Sequence, residues 1–258
     1  MSHGDPTLLE PLAALARDAG RGILEIYATD FAVACKDDAS PVTAADECAE
    51  SIIVAGLTRL TPEIPVVSEE AAAAGRIPER GRCFWLVDPL DGTKEFIGRN
   101  GEFTVNIALV EEGQPVLGVV LAPALNRLFA GAVGDGAYVE DAVGRRRIHC
   151  RAVPAEGLTV VSSRSHGDAA ALEAFLAGRK VAASVNAGSS LKLCLVAAGE
   201  ADLYPRFGRT MEWDIAAGHA VLRAAGGHVR TLDGAELRYG KDGLDNPHFV
   251  AMGLAGMR

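Results

Sequence analysis

Two aspartates three residues apart, Asp88 and Asp91, directly follow an apolar run at residues 83–87. The run has the length and composition of a buried strand, and Pro89 is expected to end its hydrogen-bond ladder because proline has no N–H. The Gly-Thr pair at residues 92–93 then has the types that begin a helix, whose first N–H groups attract anions. Two carboxylates beside an anion site need a cation between them, and magnesium binds carboxylate and phosphate oxygens. The turn therefore indicates magnesium-assisted phosphate chemistry.

Two further acidic positions strengthen that hypothesis, because a turn of this composition alone is also common without any function. Glu69 and Glu70 follow the apolar residues 65–67, which predict a short buried strand ending in these two acids. Asp214 begins an apolar helix directly after Trp213. Each has a simpler interpretation, a solvated strand end or a helix N-terminal acid worth about 0.3–1 kcal/mol. Their joint presence favours a shared metal site.

The bulk composition restricts the classes of partner. The chain has 258 residues and a formal net charge of -9, which argues against a nucleic-acid polymer as ligand. Five widely spaced cysteines without a CxxC pair indicate reduced thiols rather than a zinc site or disulfides. We find no signal-peptide pattern and no apolar run of the ~20 residues that a membrane span needs. We therefore expect a cytoplasmic protein with no integral membrane segment, either a monomer or a homodimer.

The chain divides by pattern into two halves, 1–153 and 154–258, which are expected to pack tightly. The first half predicts an amphipathic helix over residues 8–26, then a helix behind a capping box of Thr43 and Asp46, and then a mainly antiparallel sheet. The second half alternates strands and helices as βαβ units do. A hairpin is expected at the turn over residues 231–235.

Three sequence blocks, in their order along the chain, resemble the inositol monophosphatase superfamily of metal-dependent phosphatases. They are the Glu-Glu pair at 69–70, Asp-Pro-Leu-Asp-Gly-Thr at 88–93 and Trp-Asp-Ile-Ala-Ala-Gly at 213–218. The resemblance covers nearly the whole chain. It implies an α+β fold, a layered αβαβα sandwich of the inositol monophosphatase and fructose-1,6-bisphosphatase type, with the active site between the two halves.

Other segments resemble one branch of that superfamily, the 3′(2′),5′-bisphosphate nucleotidases. They are residues 92–108, Ser-Arg-Ser-His at 163–166, Gly-Ser-Ser-Leu-Lys at 188–192 and Tyr-Pro-Arg-Phe-Gly at 204–208. Inositol phosphatases usually have Thr-Asn-Phe where this chain has Lys-Glu-Phe at 94–96. The implied reaction is lithium-sensitive, magnesium-dependent hydrolysis of adenosine 3′,5′-bisphosphate to AMP and phosphate, which would clear a by-product of sulfate assimilation.

The resemblance also implies roles for single residues. The implied ligands of two or three magnesium ions are four carboxylates and one backbone carbonyl, with Asp88 bridging two ions: Glu69, Asp88, Asp91, Asp214 and, through its carbonyl, Leu90. Thr93 would position the attacking water and Asp46 would accept its proton or the hydrogen bond of Thr93. Glu70 would orient the ligands or hold a water.

Substrate contacts are implied at residues on both sides of the cavity that the two halves would form: Gly92, Thr93, His166, Ser189, Lys192 and Arg206. Lys192 and Arg206 have the charge to bind a second phosphate that the metals do not reach. The branch often has proline where this chain has Arg209, so fine specificity stays open.

Three alternatives remain beside the nucleotidase interpretation. An inositol 1-phosphate or fructose 1,6-bisphosphate phosphatase would share the metal site and differ in the substrate-facing residues. A non-catalytic phospholigand binder would lack a metal ligand or Thr93, and this chain has all of them. The Ser-x-x-Lys string at 189–192 occurs in penicillin-recognising hydrolases, but their Ser-Asp-Asn and Lys-Thr-Gly motifs do not occur in this chain.

Overall fold

Helices and mixed β-sheets alternate along the chain in a computed structural model that describes residues 4–35, 41–163 and 168–254. The described helices are α1 (Leu9–Tyr27), α2 (Ala44–Leu60), α3 (Glu69–Ala73), α4 (Thr93–Ile97), α5 (Ala169–Leu176), α6 (Leu191–Ala197) and α7 (Glu212–Ala224). The strands are β1 (Val33–Cys35), β2 (Pro41–Thr43), β3 (Val66–Ser68), β4 (Cys83–Asp91), β5 (Thr104–Glu111), β6 (Gln114–Ala122), β7 (Arg127–Ala132), β8 (Gly136–Asp141), β9 (Gly144–Ile148), β10 (Leu158–Ser163), β11 (Val181–Ala187), β12 (Leu203–Arg206), β13 (His228–Thr231) and β14 (Phe249–Met252).

Two sheets form the frame of the molecule. The larger has seven strands in the order β3-β4-β5-β6-β7-β8-β9, antiparallel except for the β3–β4 pair. The smaller has five strands in the order β11-β10-β12-β14-β13, parallel at β10 and antiparallel at β14. A short antiparallel pair, β1–β2, stands apart from both.

The alternation of side chains along β4 separates two hydrophobic cores. Trp85 and Val87 pack in the cluster that contains α1 and α2, whereas Phe84 and Leu86 pack in the cluster that contains α6 and α7. Successive strand residues point to opposite faces, so one strand supplies both cores. A third cluster joins α5 to the far face of the smaller sheet. The layers are therefore helix, sheet, helix, sheet, helix, and the expected αβαβα sandwich is confirmed.

The expected helix starts are also found. A 3₁₀ turn at Pro6–Leu8 precedes α1. At α2 the Thr43 hydroxyl accepts a hydrogen bond from Ala45 N, and Thr43 N donates to Asp46 Oδ2 at 2.8 Å. This reciprocal bonding is the predicted capping box, and it fixes the Asp46 side chain.

Helix α7 packs directly against the larger sheet at two glycines. A methyl group on Gly118 of β6 would overlap the Ala217 carbonyl oxygen, and one on Gly131 of β7 would lie 2.8 Å from Ala224 Cβ. The absence of side chains at these two positions lets the helix backbone rest directly on the strands. The height of α7 above the sheet, and therefore of Asp214 in its first turn, depends on them.

The structure corrects two local expectations and adds to a third. Strand β3 ends at Ser68, so Glu69 and Glu70 belong to the first turn of α3 rather than to a strand end. Strand β4 continues through Pro89 to Asp91. This is possible because a bulge lies there, so residue 89 does not have to donate an N–H to the neighbouring strand. The turn at 231–235 does reverse the chain, with the Thr231 N–H donating to the Ala235 carbonyl at 2.9 Å and an antiparallel bridge between Arg230 and Glu236. The regular ladder partner of β13, however, is β14, which the sequence patterns did not predict. Strand β9 was also not predicted.

Neither a membrane span nor a cysteine cross-link emerges from the described part of the chain. No helix within it is long and apolar enough to cross a bilayer. Cys48, Cys83, Cys150 and Cys194 are free thiols, as expected for four of the five cysteines. The division at residue 153 stays a prediction.

Gly118→Ala tests the close packing of α7. The added methyl group would overlap the Ala217 carbonyl, so we expect a loss of about 1–3 kcal/mol in the free energy of unfolding. Gly81→Ala is the matched control, because a Cβ at Gly81 meets nothing within 4 Å. Urea denaturation of both variants measures the difference; equal stabilities would contradict the packing argument.

Candidate active site

A bulge in β4 turns two aspartates toward one point. Asp88 pairs with Asn106 of β5 and Asp91 pairs with Thr104, so three steps along β4 correspond to two along β5. The extra residue bends the strand and leaves the Leu90 N–H free to donate to Asp88 Oδ1 at 3.1 Å. Gly92 follows with φ of 91°, a left-handed conformation that glycine adopts without strain. The chain then begins α4 at Thr93.

Three carboxylates from three different elements converge at this bulge. One oxygen each from Glu69 of α3, Asp88 of β4 and Asp214 of α7 lies within 4.8 Å of the other two. Asp88 is buried, and Glu69 and Asp214 are partly exposed. Asp91 faces the same cavity from the end of β4.

Burial and crowding raise the pKa values of Asp88, Asp91 and Asp214. Burial raises the pKa of Asp88 well above its ordinary value, and the charges of Glu69, Asp91 and Asp214 raise it further. The same two causes, with burial the larger, raise the pKa of Asp214. Asp91 has a pKa of about 6, raised chiefly by burial and held down in part by the positive charge of Lys192. The cluster therefore carries repulsion that a cation would relieve.

The donor atoms fit a hard divalent cation. All the candidate side-chain donors are carboxylate oxygens, and the Leu90 backbone also lines the cavity. The group combines no histidine or cysteine with these carboxylates, so oxygen-preferring magnesium suits it better than zinc. The described residues thus meet the requirement for the metal site that the sequence implied.

A hydroxyl–carboxylate pair stands beside the acids. The Thr93 hydroxyl lies 3.5 Å from Asp46 Oδ1 and 3.4 Å from the Leu90 carbonyl oxygen. Asp46 is buried, and its other oxygen accepts from the Thr43 N–H and hydroxyl at 2.8 and 2.9 Å. The helix cap therefore holds Asp46 in place while one of its oxygens faces Thr93.

Positive charge lies in the same cavity. Lys192 of α6 is buried, its Nζ donates to the carbonyl oxygens of Ala187 and Ser189, and it lies 5.5 Å from the Tyr204 ring centroid. Burial lowers its pKa to about 8, against the opposing effect of the Asp91 carboxylate. Arg206 ends β12 and donates from Nη2 to the Arg209 carbonyl oxygen at 3.0 Å. The exposed Arg209 lines the cavity as well.

Ser189 has a different environment from the other predicted substrate contacts. Its hydroxyl lies 2.9 Å from the Asp91 carbonyl oxygen and 2.7 Å from the Glu102 carbonyl oxygen, so its hydrogen bond goes to backbone. A methyl group on Gly92 would overlap this hydroxyl. The Ser189 side chain therefore connects the loop before α6 to the bulge that carries Asp91.

Nearly all the predicted residues meet in a cavity of about 290 Å³. The predicted residues that line it are Glu69, Asp88, Leu90, Asp91, Gly92, Thr93, Ser189, Lys192, Arg206 and Asp214. Asp46 lies behind Thr93, and Glu70 is not among the described lining residues. His166 lies outside the described residues. The roles of all these residues remain predictions.

Several lining residues were not predicted as site residues. They are Lys94, Glu95, Ser163, Ser190, Leu193, Tyr204, Arg209, Thr210 and Ile215. Buried Glu95 had a usable signal, since it lies two residues after Thr93 in the motif itself. Tyr204 had one as well, since it begins the Tyr-Pro-Arg-Phe-Gly motif two residues before Arg206. Thr210 has no such signal, because only the tertiary arrangement before α7 brings it to the cavity.

Comparison with known proteins agrees with this geometry. The inositol monophosphatase family profile matches residues 6–253, so the chain belongs to that family, as its motifs predicted. The chain is 48% identical over 245 residues to the 3′(2′),5′-bisphosphate nucleotidase CysQ of Escherichia coli strain K12, covering 94% of this chain and 98% of that protein. The corresponding CysQ of Salmonella typhimurium is 50% identical with the same coverage.

Solved structures show the same fold. The crystal structure of CysQ from Bacteroides thetaiotaomicron, a bacterial member of the inositol monophosphatase family, superposes with a TM-score of 0.79 at 40% identity, covering 95% of this chain and 97% of that one. The Thermotoga maritima IMPase TM1415 gives a TM-score of 0.78 at 27% identity, covering 95% and 91%. The predicted fold class is therefore confirmed independently of the layer order.

Asp88→Asn tests the repulsion within the acidic cluster. Removing the central charge should raise the Tm of the metal-free protein, by about 2–4 °C for each kcal/mol of repulsion relieved, and should abolish the Tm increase that magnesium causes. Calorimetry with EDTA and with MgCl₂ measures both effects. Asp30→Asn, at an exposed position after α1, is the control and should change neither. A Tm that falls without metal would contradict the account.

Proposed function

We propose that this protein is a magnesium-dependent, lithium-sensitive phosphatase that hydrolyses adenosine 3′,5′-bisphosphate to AMP and phosphate. The observation that carries the proposal is one cavity in which a carboxylate cluster adjoins Lys192 and Arg206. The CysQ relatives, which carry the name of this nucleotidase, support it.

The acids and the cations would bind different parts of the substrate. Glu69, Asp88, Asp91, Asp214 and the Leu90 carbonyl would hold two or three magnesium ions. When bound, magnesium neutralises phosphate oxygens and increases the acidity of water, which suits phosphate-ester hydrolysis. The protein's own contribution is then positioning and charge complementarity, since phosphoryl transfer needs no nucleophilic side chain.

Thr93 and Asp46 would handle the proton of the attacking water. The Thr93 hydroxyl donates toward Asp46 Oδ1, which leaves the lone pairs of Thr93 Oγ1 free to accept a hydrogen bond from water. The proton then moves through Thr93 Oγ1 to Asp46 Oδ1. The 3.5 Å separation is long, and such contacts shorten when substrate is bound. Glu70, next to Glu69 in the first turn of α3, is proposed to orient the ligands or to hold a water.

Lys192 and Arg206 would bind the second phosphate of the nucleotide. Both lie on the smaller-sheet side of the cavity, whereas Asp88 lies on the larger sheet. A bisphosphate spans both sides, but inositol 1-phosphate has only one phosphate to offer. Fructose 1,6-bisphosphate remains the stronger alternative substrate because it also carries two.

The biological setting is implied by the resemblance to the 3′(2′),5′-bisphosphate nucleotidases. Hydrolysis of this nucleotide would clear a by-product of sulfate assimilation in the cytoplasm, with the enzyme acting as a monomer or homodimer on small phosphorylated substrates. The net charge of -9 supports small anions held through metal ions, and not nucleic-acid polymers.

Phosphate release at fixed magnesium tests the substrate. We expect kcat/KM for adenosine 3′,5′-bisphosphate to exceed that for inositol 1-phosphate and fructose 1,6-bisphosphate about a hundredfold, or ~2.7 kcal/mol of transition-state binding. Arg206→Met should remove most of the preference over inositol 1-phosphate, because that substrate has no second phosphate for Arg206 to bind. Arg146→Met, which breaks only the exposed ion pair with Asp141, should leave it unchanged. Equal kcat/KM values for all three substrates would be consistent with a phosphatase but would exclude a specific nucleotidase.

Thr93→Val tests the proton route, because valine keeps the shape of threonine without the hydroxyl. We expect kcat to fall by about 10²–10⁴-fold with little change in KM, while Thr93→Ser keeps most of the activity. The control is Thr58→Val, since the Thr58 hydroxyl bonds only the Val54 carbonyl on the exposed side of α2. Near-normal kcat in Thr93→Val would exclude Thr93 from the reaction.

A further inference from the structure

A loop after β13, residues 239–246, connects the larger sheet to the start of α7. We call this loop the strap. Its first residue, Tyr239, donates its N–H to the Gly113 carbonyl in the β5–β6 turn at 3.1 Å. Its last residue, Asn246, donates its N–H to the Thr210 carbonyl at 2.9 Å. In between, the Leu244 carbonyl accepts from the Glu212 N–H at 2.7 Å. The strap thus joins the sheet to the first turn of α7.

The carboxylate of Glu212 anchors the strap. Its side chain has no exposed surface and accepts hydrogen bonds from Gly240 N at 2.8 Å, Lys241 N at 3.0 Å and Lys241 Nζ at 2.5 Å. A buried charge is tolerated only with such partners. Glu212 is not among the described residues that line the cavity, so its charge serves the strap and not a ligand.

The strap also contacts the residues directly before α7, which carries Asp214, and the connection that follows α3, which carries Glu69. The Asn246 amide donates to the Met211 carbonyl at 2.7 Å and to Thr210 Oγ1 at 3.2 Å. On the other side, Arg80 Nη1 donates to the Lys241 carbonyl at 2.9 Å. Arg80 lies in the connection between α3, which begins with Glu69, and β4.

From the strap, a short chain of bonds leads to Asp214. Met211, whose carbonyl Asn246 holds, donates its N–H to Asp214 Oδ2 at 2.8 Å. This bond sets the orientation of the carboxylate that meets Glu69 and Asp88. A loosened strap would therefore free the Met211 backbone and, with it, the Asp214 side chain.

We propose that Glu212 is a positioning residue that acts through Lys241 and the strap to hold the Asp214 carboxylate in the geometry needed for cation binding. It touches neither the ion nor the substrate. The proposal rests on the metal-dependent function above and adds a residue outside the cavity that sets cation affinity. Residues that orient metal ligands commonly change metal affinity by about 10–100-fold when replaced.

Glu212→Gln is the primary test, because glutamine keeps the volume but points an NH₂ group at donors that need an acceptor. Lys241→Met is the second variant; it removes the Nζ and leaves the backbone bonds from Gly240 and Lys241 to Glu212.

For both variants, isothermal titration with MnCl₂ gives the dissociation constant, and phosphate release gives the half-saturating magnesium concentration. We expect both to rise about 10–100-fold for Glu212→Gln, and less for Lys241→Met. The kcat at saturating magnesium should stay within about threefold of wild type.

Asp202→Asn is the matched control for the loss of a buried ion pair. Asp202 accepts from Arg151 Nε at 2.8 Å, Arg151 Nη2 at 3.0 Å and Thr159 N at 2.7 Å, and is not among the described lining residues. It should lower the Tm of the metal-free protein without changing the manganese dissociation constant. The comparison separates a loss of stability from a loss of positioning.

Unchanged manganese affinity in Glu212→Gln and Lys241→Met would overturn the proposal and leave Glu212 a structural ion pair. If Glu212→Gln fails to fold, the Lys241→Met result decides alone. A wild-type protein that binds manganese but does not hydrolyse the nucleotide would exclude the proposed function, while weaker manganese binding in the variants would still support positioning. A wild-type protein that binds no manganese would overturn both.

Discussion

Mutual repulsion among acids that meet around Asp88 is the constraint on which the rest of this structure depends. Glu69, Asp91 and Asp214 approach Asp88 from the ends of α3, β4 and α7, and burial removes the water that would screen them. Without a cation, such a cluster lowers the stability of the folded protein. Its presence is therefore explained by a function, the binding of cations. The negative charge of the cluster lets a hard cation bind strongly through oxygen ligands alone, and the bound cation would in turn attract a phosphate to an otherwise acidic surface.

The fold holds these acids together by rigid packing. Asp88 and Asp91 depend on a bulge in a strand whose two faces are both buried, and Asp214 depends on a helix that rests on Gly118 and Gly131. The cap of α2 fixes Asp46 behind Thr93. None of these supports touches a substrate, yet each sets the position of a group that would. The cavity lies between the two sheets, where β12 and α6 add Arg206 and Lys192 to the acidic side.

The local sequence pattern predicted the start of each long helix through apolar periodicity and a capping box, while the layer order and most of the cavity lining were implied by the family resemblance of the motifs. The local pattern failed where tertiary pairing overrides local preference. Pro89 was expected to end β4, but a bulge accommodates it. The turn at 231–235 forms with an antiparallel bridge between Arg230 and Glu236, but the ladder between β13 and the distant β14 was not predicted. The strap that Glu212 anchors carries no local signal, since only the folded chain brings residues 212 and 241 together.

An anomalous difference map from crystals grown with MnCl₂ tests the central claim most directly, because it locates the cations without assuming a reaction. The account predicts at least two manganese peaks in the cavity. The Asp88 carboxylate should be a ligand of both ions, with Glu69, Asp91 and Asp214 as the other side-chain ligands. Two results would contradict the claim that this cluster holds metal ions. One is manganese peaks only at exposed carboxylates elsewhere, and the other is no manganese peak at the cluster when manganese is saturating.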